Sequence, residues 1–266
     1  MIRIQTQFHS KKVSIFTINL ENNMINDEFI KNHSLLECLQ EFKGAQEHDN
    51  LSRLDSVTKE FKALAKKFLY GGHFVVGDYF EITIDIVEFY YHEEEQLNPA
   101  DELILDPIVY HKNSKEREVP PFPIMSLHTH QSGIDIAFED PQGRYRASVL
   151  IREFSVIDRY NKKKEPKADS RSQYLYDYLN GFSIDGNPNY IHWVPKENFE
   201  PDSIFVGHRK NVFTPEYKSW VQKHKIKVNP DKNNEQRLKE LDNRLWAFSK
   251  RQSVVRHSNG AKETYQ

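Results

Sequence analysis

The position of Glu88 asks for a chemical explanation. Residues 78–92, DYFEITIDIVEFYYH, alternate as a β-strand does. Ile82, Ile84 and Ile86 fall on one side, and Glu81, Thr83 and Asp85 on the other. Continuing the count puts Glu88 on the isoleucine side, with Tyr90 two residues on. A carboxylate on an apolar strand face must be paired, neutralised or turned into a cleft. A carboxyl of raised proton affinity in such a cleft is what a general base requires. A Glu88 beyond the strand's end, facing water, is the plain alternative. Three further groups could do chemistry. His128 and His130, two apart in SLHTHQSGIDIAFED, share a strand face, and Asp135 follows Gly133. Two imidazoles and a carboxylate could ligate a metal, and the histidines could equally contact a base. Arg152 lies in YRASVLIREFSVI on a face with Ser148, Leu150 and Phe154, and it also needs a partner there. That partner is a structural carboxylate, a phosphate or a substrate.

These residues need elements to position them. Residues 52–72 have the spacing of an amphipathic helix, with Leu54, Val57, Phe61, Leu64, Ala65 and Phe68 on one face. Ser52 with Asp55 caps it, and Gly71-Gly72 ends it. A strand is expected at 13–20 and a short helix at 35–42. Further strands are expected at 126–140, 145–157, 190–194 and 203–207. Residues 161–167 form a basic loop, and 169–181 a helix ending at Gly181. Thr214-Pro215-Glu216 starts another helix. Residues 232–250 are expected to be a final helix with Leu238, Leu241, Leu245 and Phe248 inward, followed by about 15 residues without structure. The sum is an α+β chain: a single domain with a curved antiparallel sheet flanked by helices. Residues 1–52 would be an N-terminal extension packed on a main domain at 53–230. Residues 231–266 would be a basic helix and tail.

One cysteine, Cys38, excludes a disulfide framework or a cysteine zinc cluster and fits a cytoplasmic protein. The N-terminus lacks the apolar core of a signal peptide, and no apolar run is long enough to cross a bilayer. The acidic stretch HEEEQLNPADELILD, 92–106, is a solvated loop rather than a metal site. Net charge is only -2, but residues 207–262 carry 14 Lys+Arg against 5 Asp+Glu. An acidic body ending in a basic segment is the asymmetry expected of a protein that touches a polyanion.

The order of the central pieces resembles the alkyladenine (3-methyladenine, methylpurine) DNA glycosylase family. The matching runs are Phe68-Leu69-Tyr70-Gly71, then Ile86-Val87-Glu88-Phe89-Tyr90, then Tyr110-His111. Ser132-Gly133, Val149-Leu150-Ile151-Arg152-Glu153 and Ile204-Phe205-Val206-Gly207 follow. The similarity covers roughly residues 53–227 and lies more in the order of the motifs than in any one of them. It implies a monofunctional glycosylase that hydrolyses the N-glycosidic bond of a modified base flipped out of double-stranded DNA. Such a protein serves base excision and DNA repair. Glu88 would activate water, Tyr90 and His111 would sandwich the base, and Arg152 would lie near the water. His128, His130 and Asp135 would line the pocket. The family asparagine that discriminates bases would fall near Phe138 or Glu139. Neither metal nor organic cofactor is required for this chemistry. A monomer is the favoured state. Two rivals stay open: a metal-dependent nuclease or phosphoesterase using His128, His130, Asp135 and Glu88, and a non-catalytic nucleic-acid-binding module.

Overall fold

Three side chains each open a helix by accepting a backbone N–H of its first turn. Asn26 starts α1 (Asp27–Asn32), Ser34 starts α2 (Leu35–Glu41) and Ser52 starts α3 (Arg53–Tyr70). Ser34 and Glu37 complete a reciprocal capping box. In this computed structural model the described residues are 24–45, 51–77, 79–97, 103–106, 108–114, 116–130, 133–162, 191–209, 244–252, 254–256 and 262–264. The expected strand at 13–20, the helices at 169–181 and from Thr214, and residues 163–167 and 232–243 lie outside them.

The strands are β1 (Gly72–Val76), β2 (Phe80–Glu93), β3 (Leu127–His130), β4 (Gly133–Ala137), β5 (Tyr145–Asp158), β6 (Ile191–Pro195), β7 (Phe205–Gly207) and β8 (Ala247–Ser249). They form one eight-stranded antiparallel sheet in the order β3-β4-β5-β2-β1-β6, and β8 joins β2 to β7. The fold is α+β with a large antiparallel sheet, as expected. Its long central strands, β2 and β5, pair with each other and are 14 residues each.

One face of the sheet carries the core. Phe61 of α3 stacks on Phe89 with ring centroids 4.6 Å apart and meets Trp246 edge-on at 5.1 Å. Val57, Leu64 and Phe68 continue the same helix face. The N-terminal helices join this core through Ile30, Leu35, Cys38 and Leu39. Two buried hydroxyls tie the segment after α2 to the sheet. Tyr91 Oη accepts from Ala45 N at 2.7 Å, and Tyr145 Oη donates to Phe42 O at 2.7 Å.

The final helix expected over 232–250 does not extend through 247–249, which are a strand of the sheet. Trp246 and Phe248 are fully buried in the core, and Ala247 faces the other way. This alternation of period two overrides the helical spacing that had placed Leu245 inward; Leu245 is 40% exposed. The tail expected to lack structure contains β9 (Val254–Arg256) paired antiparallel with β10 (Lys262–Thr264). Sequence reading also missed α1 and β1.

Candidate functional site

The site begins where the β2–β5 ladder slips. Ile84 pairs with Phe154, Ile86 with Glu153, and Val87 with Ile151. Asp85 is therefore an extra residue on β2, and Arg152 an extra residue on β5. Each bulge reverses the inside–outside alternation of its own strand. Upstream, Ile82 and Ile84 belong to the core; downstream, Val87, Phe89 and Tyr91 do. Ile86 leaves the core for a small cluster with Ala247. The expectation that Ile82, Ile84, Ile86 and Glu88 share one face is thus corrected: Glu88 and Tyr90 project from the second face. For the same reason Phe154 parts from Ser148 and Leu150 and joins the core. Bulges gather beside active sites because they re-aim side chains in this way.

Glu88 is nevertheless fully buried. Its Oε2 accepts from Tyr90 Oη at 3.0 Å and from Arg152 Nη2 at 2.6 Å. Arg152, the bulged residue, keeps 12% of its side chain exposed, so the pair lies close beneath the surface. Burial, then the charge of Glu88, holds the Tyr90 phenol well above its ordinary pKa and keeps it a proton donor. Donors on two sides thus fix the orientation of the carboxyl group.

A single ladder row crosses this face through six strands. His128 pairs with Asp135, Asp135 with Leu150, Leu150 with Glu88, Glu88 with Ala247, and Ala247 with Gly207. The adjacent row runs Ala137, Ser148, Tyr90. Asp135 is 4% exposed, and Ser148 Oγ donates to its Oδ2 at 3.4 Å. The charge of Asp135 acts on both Tyr90 and His128. His130 ends β3 opposite Gly133, whose φ of 141° suits only glycine; the His130 side chain lies outside the described residues.

Residues 108–114 and 116–125 lie against one end of the face and are fastened by buried ions. Arg146, 1% exposed, donates to Glu94 Oε1 at 2.8 Å, Glu139 Oε2 at 3.0 Å and Val119 O at 2.6 Å. Glu139 also accepts the Phe122 N–H at 2.9 Å and pairs with His111 Nδ1. His111 is 4% exposed and stacks on Phe122, and Phe122 stacks on His128 at 3.7 Å and 11°. Ser126 Oγ donates to Pro123 O at 2.6 Å, so it accepts from His128 Nε2–H at 2.7 Å. Burial, helped by the charge of His111, pushes the His128 imidazole below its ordinary pKa.

At the other end Arg209 is fully buried, with its guanidinium 4.8 Å from the Tyr90 ring centroid and 5.4 Å from that of Trp246. Its Nη1 lies 2.5 Å from Asp106 Oδ2, and Arg244 Nη1 lies 3.7 Å from the same oxygen. The Asp106 N–H donates to His92 Nδ1 at 2.9 Å, and burial pushes that imidazole down to about 4. His92 is therefore a neutral acceptor here.

The structure brings Glu88, Tyr90 and Arg152 into direct contact, and His128 and Asp135 onto the same face. His111 sits over that face, but against Phe122: among the described residues no ring contact joins it to Tyr90. Phe138, one of two candidates for the family asparagine, is fully buried in the core; Glu139 is committed to Arg146 and His111. Among the described residues no set of three His, Cys, Asp or Glu side chains is placed to hold a metal ion. Sequence reading missed Arg209, Asp106, Arg146 and Phe122. Arg146 carried a usable signal, a cation inside a long apolar strand; the others lie in short or irregular segments without periodicity. No family model, curated protein or solved structure matches the chain.

Proposed function

We propose that the protein is a DNA glycosylase-like hydrolase that cleaves the N-glycosidic bond of a modified base flipped from a duplex. The observation that supports this most is the buried Glu88 carboxylate, gripped by Tyr90 and Arg152 just below the surface of the sheet's second face. A base inside a duplex is beyond reach of any side chain, so it must be extruded and held by stacking. Hydrolysis then needs a positioned water and a proton acceptor. Glu88 takes the proton as the water oxygen bonds to the sugar carbon. The bond to the base breaks, and its electron pair leaves with the base. Arg152 and Tyr90 hold the carboxylate in the attacking geometry, and the Tyr90 ring walls the pocket beside it. Lys and Arg residues of 207–262 other than the buried Arg209 and Arg244 supply phosphate contacts whose strength falls with salt.

The test is a panel of duplexes, each with one modified base, incubated with the protein and treated with alkali to cut at abasic sites. Wild type is expected to produce strand breaks at one or more bases. Glu88→Gln is expected to lose about 100-fold or more in single-turnover rate, the scale of general-base catalysis, while still binding the duplex. Stoichiometric binding without product on any base indicates a binding module instead. Activity abolished by a chelator and restored by a divalent ion indicates the metal-dependent rival.

A further inference from the structure

We infer that Tyr79 and Tyr160, where β1 turns into β2 and β5 finishes, form a second binding surface, a platform on which unpaired bases of a single-stranded nucleic acid stack. The inference goes beyond the reading of Glu88 and does not depend on it. Phe80 and Glu88 are eight residues apart on β2, roughly 25 Å along the strand. Tyr160 is 70% exposed and Tyr79 41%. Their ring centroids are 5.8 Å apart, with planes tilted by 47°. Tyr79 also lies 6.5 Å from the ring of Phe80, which packs against the core. Two large rings are thus held against each other and left open to water. Their backbones are fixed before any partner arrives. Tyr79 N donates to Val76 O at 3.2 Å, and Tyr79 O accepts from Arg159 N at 2.9 Å. Asp158 Oδ1 accepts the Tyr160 and Asn161 N–H groups at 2.8 and 3.1 Å, and its Oδ2 accepts from Asn161 Nδ2 at 2.9 Å. A tyrosine on a fixed backbone has only two torsions left to lose, so stacking on it costs little order.

The charges around the rings point to the partner. Arg159, bonded through its backbone to Tyr79, has a side chain 40% exposed, with its Nε 3.3 Å from Glu81 Oε1. Lys162 is exposed and takes a φ of 49°, a left-handed conformation that glycine or asparagine adopts with less strain. Lys163 and Lys164 follow it in the sequence, so a run of three cations begins two residues after Tyr160. Open aromatic faces with cations at their margin match an unpaired strand, whose bases stack on the rings while its phosphates meet the cations. A duplex keeps its base faces inside its own stack. An acidic peptide would satisfy the cations and leave both rings without a planar partner.

The experiment measures fluorescence anisotropy of the full chain with labelled strands of about 12 nucleotides, a length within the range that such surfaces span. Three strands are compared: oligo(dT), oligo(U) and an abasic strand of the same length and charge. Wild type is expected to bind at least one base-bearing strand tenfold or more tighter than the abasic strand, the scale of one stacked base. The tighter of the two base-bearing strands identifies the source, DNA or RNA. Tyr79→Ala combined with Tyr160→Ala is expected to abolish the preference for bases. Tyr79→Phe combined with Tyr160→Phe keeps both rings and is expected to bind within about twofold of wild type. Equal wild-type affinity for base-bearing and abasic strands overturns the inference, as does no binding at all. So does a folded alanine pair that retains the preference, or a phenylalanine pair as weak as the alanine pair. Circular dichroism melting checks the fold of each variant. Tyr160→Ala alone removes the more exposed ring and keeps the question decidable if the alanine pair does not fold. Binding requires no excision. An inactive panel of duplexes therefore leaves the platform standing, and strands that fail to bind leave the reading of Glu88 untouched.

Discussion

Arg209→Met tests the buried ion pair that backs Tyr90. Asp106 and Arg209 are both fully buried and 2.5 Å apart, and Arg244 stands 3.7 Å from the same carboxylate oxygen. Methionine keeps most of the apolar stem and removes the cation. Breaking a buried pair by removing one partner costs about 3–5 kcal/mol. Arg244 remains, so the lower end, about 3 kcal/mol, is expected. At about 2–4 °C per kcal/mol for a chain of this size, melting falls by about 6–12 °C. The pH dependence identifies the cause. Burial by itself would raise the Asp106 carboxyl, but the charges of Arg209 and Arg244 outweigh it and hold it below its ordinary value. In wild type the pair's contribution is complete above the unfolded carboxyl's pKa of about 4, and it fades as pH falls through the lower folded value. In Arg209→Met burial takes over, so the deficit is greatest at neutral pH and shrinks as pH falls toward 4. Adding Asp106→Asn removes the stranded charge and should recover most of the loss. Thermal melts of wild type and the two variants at pH 7 and pH 4 decide it. A loss under about 1 kcal/mol at pH 7, an equal loss at both pH values, or a double variant no better than the single would refute the reasoning.

Tyr90→Phe removes a hydroxyl donor to Glu88, leaving a buried carboxylate oxygen with one fewer bond at a cost of about 1–3 kcal/mol. Excision is expected to slow about tenfold, since about 1.4 kcal/mol is one decade, and unchanged single-turnover rates would show that the hydroxyl does not position the base. Glu60 is 6% exposed, accepts the Ile25 N–H at 3.1 Å, and is pushed by burial up to about 7. A carboxyl raised this way costs nothing below the unfolded pKa, and its penalty grows as pH climbs from there to the folded value. Denaturant melts should therefore show wild type losing about 2–3 kcal/mol at this group between pH 5 and pH 8, and Glu60→Gln losing much less; parallel curves for the two proteins would refute it.

The sequence reading identified Glu88 for a reason the structure revises. Counting from Ile82 put the carboxylate on the core side, because alternation alone has no memory of a bulge. An extra residue such as Asp85 shows no composition cue: it is neither Gly nor Pro, and its neighbours continue to alternate. What survived was the oddity itself, a carboxylate and an arginine in two apolar strands, each needing the other. Helix α3 was legible because capping, amphipathic spacing and the Gly71 terminator agree. Strand β8 was not, because three residues carry too short a period to compete with the leucine spacing before them. The roof over the site was illegible for another reason. His111, Phe122, Asp106 and Arg209 are set by tertiary ion pairs, hydrogen bonds and ring stacking across as many as 103 positions, which no local pattern encodes.

The two faces of the sheet show which interactions hold the fold and which need another explanation. The α3 face is apolar and aromatic, with Phe61, Phe89, Phe138 and Trp246 interlocked, and burial of that kind is the dominant source of stability. The second face buries Glu88, Asp135, Arg146 and Glu139 to 4% exposure or less. Replacing buried ion pairs with apolar residues of similar size is commonly neutral or stabilising, so stability alone does not account for charge there. The bulges at Asp85 and Arg152 sit at the boundary between these two uses. Upstream of them Ile84 faces the core; two residues beyond Ile86 the same strand turns Glu88 to the charged face. Without the two extra residues Glu88 would enter the aromatic core, where a carboxylate has no partner and no chemistry to do. With them it meets Arg152, the residue the second bulge supplies.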